Sequence, residues 1–147
     1  MPGMTTPFTI DEGNAFGARA ARHLREDPVV WLTTVSPGGT PAPNPVWFLW
    51  DGAATVRLYS LPDAARVTHL RHNPKVSLNF AGDGRGGDIV VLTATAELAP
   101  DDPPADRDAA YLAKYAEHIQ RIGLTPEHFA ARYSLPVVLT LTRLRGH

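Results

Sequence analysis

Val46-Trp47-Phe48-Leu49-Trp50-Asp51-Gly52-Ala53-Ala54-Thr55-Val56-Arg57-Leu58-Tyr59-Ser60 is the stretch that decides the fold. Two β-rich runs, Val46 to Trp50 and Thr55 to Ser60, flank Asp51-Gly52. Asp-Gly tolerates the positive φ angles of a tight hairpin turn, so the stretch predicts two antiparallel strands. Just upstream, Val29 to Val35 is β-branched and aromatic and predicts another strand, closed by the turn Ser36-Pro37-Gly38-Gly39. Pro41-Ala42-Pro43-Asn44-Pro45 between them reads as a rigid, irregular entry to the hairpin.

Moving outward, Val76 to Phe80, Asp88 to Leu98 and Pro136 to Leu144 complete a set of six predicted strands. Asp63 to Asn73 reads as a helix with Val67 and Leu70 on its apolar face, ended by Asn73-Pro74. Ala105 to Ile122 reads as a longer helix stopped by Gly123, and Thr125-Pro126 opens a short one running to Tyr133. At the N-terminal end, Thr9 and Glu12 have capping-box spacing, which predicts a helix over about 11–26, stopped by Pro28. Hairpin-linked strands imply an antiparallel sheet. In a short chain, closure into a barrel removes exposed edges. The expected class is mainly β with flanking helices: a six-stranded antiparallel barrel, with residues 1–147 as a single domain.

The chain has 147 residues, enough for a core without covalent staples. It contains no cysteine, which excludes disulfides, thiolate metal sites and cysteine nucleophiles, and fits a cytoplasmic protein. A formal net charge of −1 supplies no basic field for nucleic acid. Residues 1–10 lack the pattern of a signal peptide, and no apolar run approaches the roughly 20 residues a membrane helix needs. Neither a nucleic-acid nor a membrane partner is therefore expected.

Gly82, Gly84 and Gly87 reproduce the dinucleotide-binding fingerprint in letters. That fingerprint works only when a helix follows, because the helix N-terminus meets the pyrophosphate. A strand follows here, so the glycines read as a loop. The six histidines show no metal-ligand spacing, and His69 and His72 read as a solvated helix face. Asp101-Asp102 reads as a solvated pair in the connector Pro100 to Pro104.

Two segments carry chemistry. The first is Ser60 to Arg66, where a strand ends and a helix begins. Free amides at a helix start, a hydroxyl and a guanidinium together make an anion site, and a capped surface helix with solvated cations is the competing reading. The second is Pro41 to Trp50, where stiff backbone adjoins aromatics suited to the face of a flat ring. Trp47 and Phe48 must point to opposite faces, so one lines a pocket at most and the other is core.

Together these segments resemble a known family. The ordered series Gly39-Thr40-Pro41, Pro45-Val46-Trp47-Phe48, Asp51-Gly52, Leu58-Tyr59-Ser60, Arg66 and Leu70-Arg71-His72-Asn73-Pro74-Lys75-Val76 is similar to the flavin-binding split-barrel proteins of the pyridoxamine 5′-phosphate oxidase-like type. Within them it looks closest to the branch of probable F-420-dependent reductases, which use a deazaflavin. The resemblance implies a split barrel, a homodimer and two cofactor sites at the dimer interface. It implies that Pro45, Val46 and Trp47 contact the deazaflavin ring, that Tyr59 and Ser60 contact the ribityl and phosphate region, and that Ala64, Ala65 and Arg66 lie at the phosphate. Arg66 stands where this branch usually has Lys, and Ala64 where Arg is often found, leaving one cation where some relatives have two. Arg71 and Lys75 are the nearby candidates to supply a second.

The activity implied is hydride transfer to an unsaturated small molecule, with no protein acid or base nominated. The alternatives are an FMN oxidoreductase on the same scaffold and a non-enzymatic carrier of a cofactor or tetrapyrrole.

Overall fold

The computed structural model describes residues 7–147. Within them, α1 spans Ala15–Glu26, β1 Val30–Val35, β2 Pro41–Val46, β3 Leu49–Trp50 and β4 Thr55–Ser60. Then come α2 (Ala65–His72), β5 (Lys75–Asn79), β6 (Val90–Leu98), a 3₁₀ turn at Ala105–Arg107, α3 (Ala109–Arg121), α4 (Pro126–Arg132) and β7 (Leu135–Gly146). Of the N-terminal stretch read for targeting, residues 1–6 lie outside the described residues.

The strands form one antiparallel sheet in the order β2-β1-β5-β6-β7-β4-β3. It has seven strands rather than six. The difference lies in the prolines. Pro41, Pro43 and Pro45 pair with Val35, Thr33 and Trp31, so the segment expected to be irregular is a strand. It is an edge strand, and its prolines alternate, so every missing N–H falls on the side that has no neighbour. The expected Val46–Trp50 strand is correspondingly cut: Val46 ends β2, and only Leu49–Trp50 pairs with β4.

That cut shapes the molecule. β2 and β3 are the two edges of the sheet, yet only Trp47 and Phe48 separate them in the chain. Three Cα steps span at most about 11 Å, so the sheet must curl until its edges approach at this point. The result is a curled half-barrel. Its interior holds the main core, including Phe48, Leu32, Leu58, Leu78, Leu92, Val137 and Leu139, all at most 1% exposed. α1 adds Ala20, Ala21 and Leu24 to it.

Phe48 lies between strands, so no ladder satisfies its peptide groups; α3 does so instead. The Tyr115 hydroxyl accepts from the Phe48 N–H at 2.8 Å and directs its own proton toward the carbonyls of Pro28 (2.8 Å) and Phe48 (2.9 Å). The Lys114 ammonium donates to the Phe48 carbonyl at 3.1 Å and sits 3.7 Å from the centre of the Phe48 ring. Burial pulls that ammonium down to about 8.

Three further expectations are corrected. α1 begins later than the capping box placed it: Asn14 caps it by accepting from Gly17 N–H at 2.7 Å, and Glu12 instead pairs with Arg25. Gly17 is required there, since a Cβ would lie 1.8 Å from the Asp11 carbonyl oxygen. The helix expected over 105–122 breaks at Asp108, whose side chain caps α3 through Tyr111 N–H. His69 is not simply solvated: its Nδ1 is 2.8 Å from the Oγ1 of buried Thr34, tying α2 to β1. The 82–87 glycines form a turned loop before β6, as expected, with Gly82, Gly84 and Gly86 at positive φ.

Tyr115→Phe should strip the Phe48 N–H of its acceptor. A buried orphan of this kind costs about 1–3 kcal/mol, read as a lowered urea midpoint at constant slope. A second prediction concerns His23, whose Nδ1 lies 2.6 Å from Asp27 and whose Nε2 lies 3.0 Å from Asp88. Burial pulls the imidazole down, but the two carboxylates outweigh it and its pKa is raised. A raised folded pKa stabilises fully below the unfolded value of about 6.5 and is lost as pH rises through the folded value. The gap in unfolding free energy between wild type and His23→Gln should be widest at about pH 5.5–6.5 and narrow above that.

Candidate functional site

The outer face of the sheet carries a second apolar cluster, built where α3 and α4 pack against β3 and β4. Tyr59, Tyr111, Tyr115, Ile119 and Phe129 form it, with Trp47 and Tyr133 against its margin. Trp47 and Phe48 do point to opposite faces: Phe48 fills the barrel, and Trp47 joins the outer cluster. The Trp47 ring is near-parallel to Tyr115 (centroids 5.0 Å, 8°) and Phe129 (5.6 Å, 15°), with His118 edge-on at 5.7 Å. Trp47 is thus a fixed wall, stacked on protein rings.

A cavity of about 390 Å³ opens between this helical lobe and the sheet. Pro45, Val46, Trp47, Tyr59, Ala64 and Arg66 line it from the barrel side; Tyr111, Ile122, Phe129 and Tyr133 line it from the helices. Six of the eight residues singled out in the sequence therefore meet around one space. Ser60 and Ala65 do not line it. Ser60 is fully buried, donates to the Leu61 carbonyl at 2.9 Å, and accepts a long 3.4 Å contact from Arg66 Nη1. It steadies the arginine from behind. Arg71 and Lys75 are exposed and outside the lining.

The charge pattern is one-sided. Arg66 is half-buried and makes no ion pair with a carboxylate among the described residues. Burial pulls its guanidinium below the ordinary value, the electrostatic mark of a cation held in an apolar wall without a counter-ion. It projects from the first turn of α2, whose start at Ala64 has no side-chain cap, so the positive end of the helix dipole adds to the same field. Arg57, by contrast, lies 3.6 Å from both Asp102 and Asp108, so Asp102 is not merely solvated.

Asp108 organises the far wall. One oxygen caps α3 at Tyr111 N–H, and the other accepts from the Tyr59 hydroxyl at 2.7 Å. Burial, with that hydrogen bond, pushes the Tyr59 phenol well above its ordinary range. The hydroxyl of Tyr59 is thereby engaged, while the residue lines the cavity from β4. Sequence reading missed Tyr111, Ile122, Phe129 and Tyr133. For Tyr111 the signal was the apolar spacing of Tyr111, Tyr115 and Ile119, four residues apart along α3; Ile122, Phe129 and Tyr133 carry no such pattern. No group of three or more metal-ligating side chains occurs among the described residues.

Residues 16–142 match the pyridoxamine 5′-phosphate oxidase family model. The chain belongs to this family. No curated protein matches it by sequence. Among solved structures it is similar to one named F420 reductase, at 24% identity and a TM-score of 0.61, covering 84% of this chain and 94% of that one. It is also similar to an FAD-binding protein from Mesorhizobium loti, at 21% identity, TM-score 0.63, with 86% and 90% covered. A third is HutZ, a haem storage protein from Vibrio cholerae, at 14% identity and TM-score 0.59, with 94% of each chain covered. These likenesses establish the split-barrel fold that the oxidase-like chain shares with them, and nothing finer.

Proposed function

We propose that this chain is an oxidoreductase that seats a deazaflavin of the F-420 type in the cavity between helical lobe and sheet and reduces an unsaturated small molecule. The observation that carries the reading is Arg66: an unpaired, half-buried cation at the rim of an otherwise aromatic and aliphatic space. A flat ring ending in a phosphate has the matching distribution, apolar over most of its length and anionic at one end. Arg66 and the start of α2, with Ala64 and Ala65 close by, hold the phosphate; Ser60 orients Arg66 from behind. Pro45, Val46 and Trp47 flank the ring, and the Tyr59 ring adjoins the ribityl chain.

When bound, the deazaflavin supplies a hydride to an electron-poor carbon. The chain's contribution is geometric and electrostatic. The locked stack of Trp47, Tyr115 and Phe129 gives the ring one seat. The apolar lining excludes water from the reacting face, and the fixed guanidinium sets which end of the ligand enters first. As proposed site components these residues act by binding and orientation, and no protein acid or base is assigned.

Titration with F-420, FMN and haemin tests the reading. F-420 should bind most tightly, and Arg66→Ala should weaken it about 10- to 100-fold, the value of a charge-assisted contact. Tight binding of FMN alone would move the chain to the flavin oxidoreductases. Tight haemin binding without either flavin would make it a carrier.

We further infer a homodimer in the cytoplasm, with residues 1–147 acting as one domain. Val29 (38% exposed) and Trp31 (39%) present apolar surface around the start of β1, and Ile122 (51%) does so at the cavity rim. A dimer should appear by light scattering at micromolar concentration; a clean monomer there would refute the assembly.

A further inference from the structure

All four tyrosines of the chain gather in the outer cluster. Two have their hydroxyls engaged: Tyr59 with Asp108, and Tyr115 with the Phe48 and Pro28 peptides. Tyr133 is half-exposed at the cavity margin. Tyr111 is different. It is 1% exposed, yet it lines the cavity. Its ring is clamped by Tyr59 (4.7 Å, 82°), Tyr115 (4.8 Å) and Phe129 (6.0 Å), so it has one orientation.

The Tyr111 hydroxyl has no hydrogen-bond partner among the described residues, and no hydrogen bond contributes to the pKa shift of its phenol. Nor is it among the polar atoms sealed from solvent without a partner, which are those of Arg19, Arg57 and His118. The hydroxyl therefore keeps contact with open space, and the space that this residue lines is the cavity. A phenylalanine would complete the same aromatic wall with no polar atom left over. A tyrosine kept here with an empty hydroxyl is a donor awaiting an acceptor.

We propose that the Tyr111 hydroxyl donates to the carbonyl oxygen of a conjugated ring seated in this cavity. The inference rests on the cavity being a flat-ring redox site, and it adds the second anchor. Arg66 fixes the anionic end, and Tyr111 fixes the ring by an oxygen. Two fixed points set the plane of the ring where apolar walls alone would let it slide. Burial pushes the Tyr111 phenol far above its ordinary range, so the group stays a donor at every working pH. The carbonyl belongs either to the cofactor ring or to a quinone-like substrate.

The test compares wild type with Tyr111→Phe, using F-420, FMN and 2-methyl-1,4-naphthoquinone as probes. Affinities come from quenching of tryptophan fluorescence, and the bound carbonyl stretch from Raman difference spectra. Losing one neutral hydrogen bond should weaken the affected probe about threefold to tenfold and move its carbonyl stretch toward the free value. An effect confined to the cofactors places the carbonyl on the cofactor ring; one confined to the quinone places it on the substrate. Both support the proposal. Equal affinities and unmoved carbonyl stretches across all three probes overturn it and leave the cavity reading intact. Wild type binding none of the probes overturns the cavity reading and this inference together. One readout needs no variant: in wild type, the bound carbonyl stretch should shift between H₂O and D₂O. A stretch matching the free ring in both solvents also overturns the proposal.

Discussion

The peptide of Phe48 is the point on which this fold depends. A sheet whose two edges are joined by a dipeptide must curl, and the joining residues must leave the ladder to do it. A peptide removed from the ladder and buried is costly unless something else satisfies it. Here Tyr115 and Lys114, adjacent on α3, take over both ends of that peptide. The helical lobe is thereby more than a cover. It supplies the hydrogen bonds that let the sheet change edges, and in return the crossing aims Phe48 inward and Trp47 outward. Barrel core and outer cluster are consequences of one bent dipeptide.

The cavity follows from the same arrangement. Because α3 is pinned at positions 114 and 115, the residue one turn earlier, Tyr111, and the residue just past the helix end, Ile122, are carried to the rim of the space beneath the lobe. Asp108 pins the helix start by joining its cap to the Tyr59 hydroxyl on β4. A helix held at its start and along its middle cannot shift its aromatic face by much, so the cavity's shape is set by hydrogen bonds outside it. This is how a preorganised site arises from rigid elements rather than from loops.

Much of this was legible in the sequence, and the exceptions have physical causes. The hairpin around Asp51-Gly52 and the strand Thr55–Ser60 declared themselves because turn chemistry and β-branching are local properties. The strand Pro41–Val46 did not. Proline argues against a strand only where both sides of the strand are paired, and whether a segment lies at an edge is a property of the whole sheet. On the site, the junction from Ser60 to Arg66 and the stiff segment from Pro41 to Trp50 are visible locally, and the resemblance to the split-barrel family is what singled out Pro45, Val46, Trp47, Tyr59, Ala64 and Arg66 within them. The helical half of the cavity was missed. Tyr59 meets Asp108 across 49 positions, and Tyr115 meets Phe48 across 67, and no local pattern encodes such pairings. The spacing of Tyr111, Tyr115 and Ile119 marks a buried face on α3, but a periodicity within one helix does not specify what packs against it.

Fold likeness at these identities leaves the ligand open, since reductase, FAD-binding and haem-storage structures share the same scaffold. Charge counting inside the cavity is more selective. Among the cavity-lining residues Arg66 is the single cation and no carboxylate is present. One guanidinium at the start of an uncapped helix balances one charge and a fraction of another. In a half-buried wall, where each uncompensated charge is expensive, that balance favours a ligand that brings an anionic end to Arg66 and an otherwise apolar body to the remaining walls. With Ala64 where a second cation would stand, Arg66 and the start of α2 carry the whole of that balance.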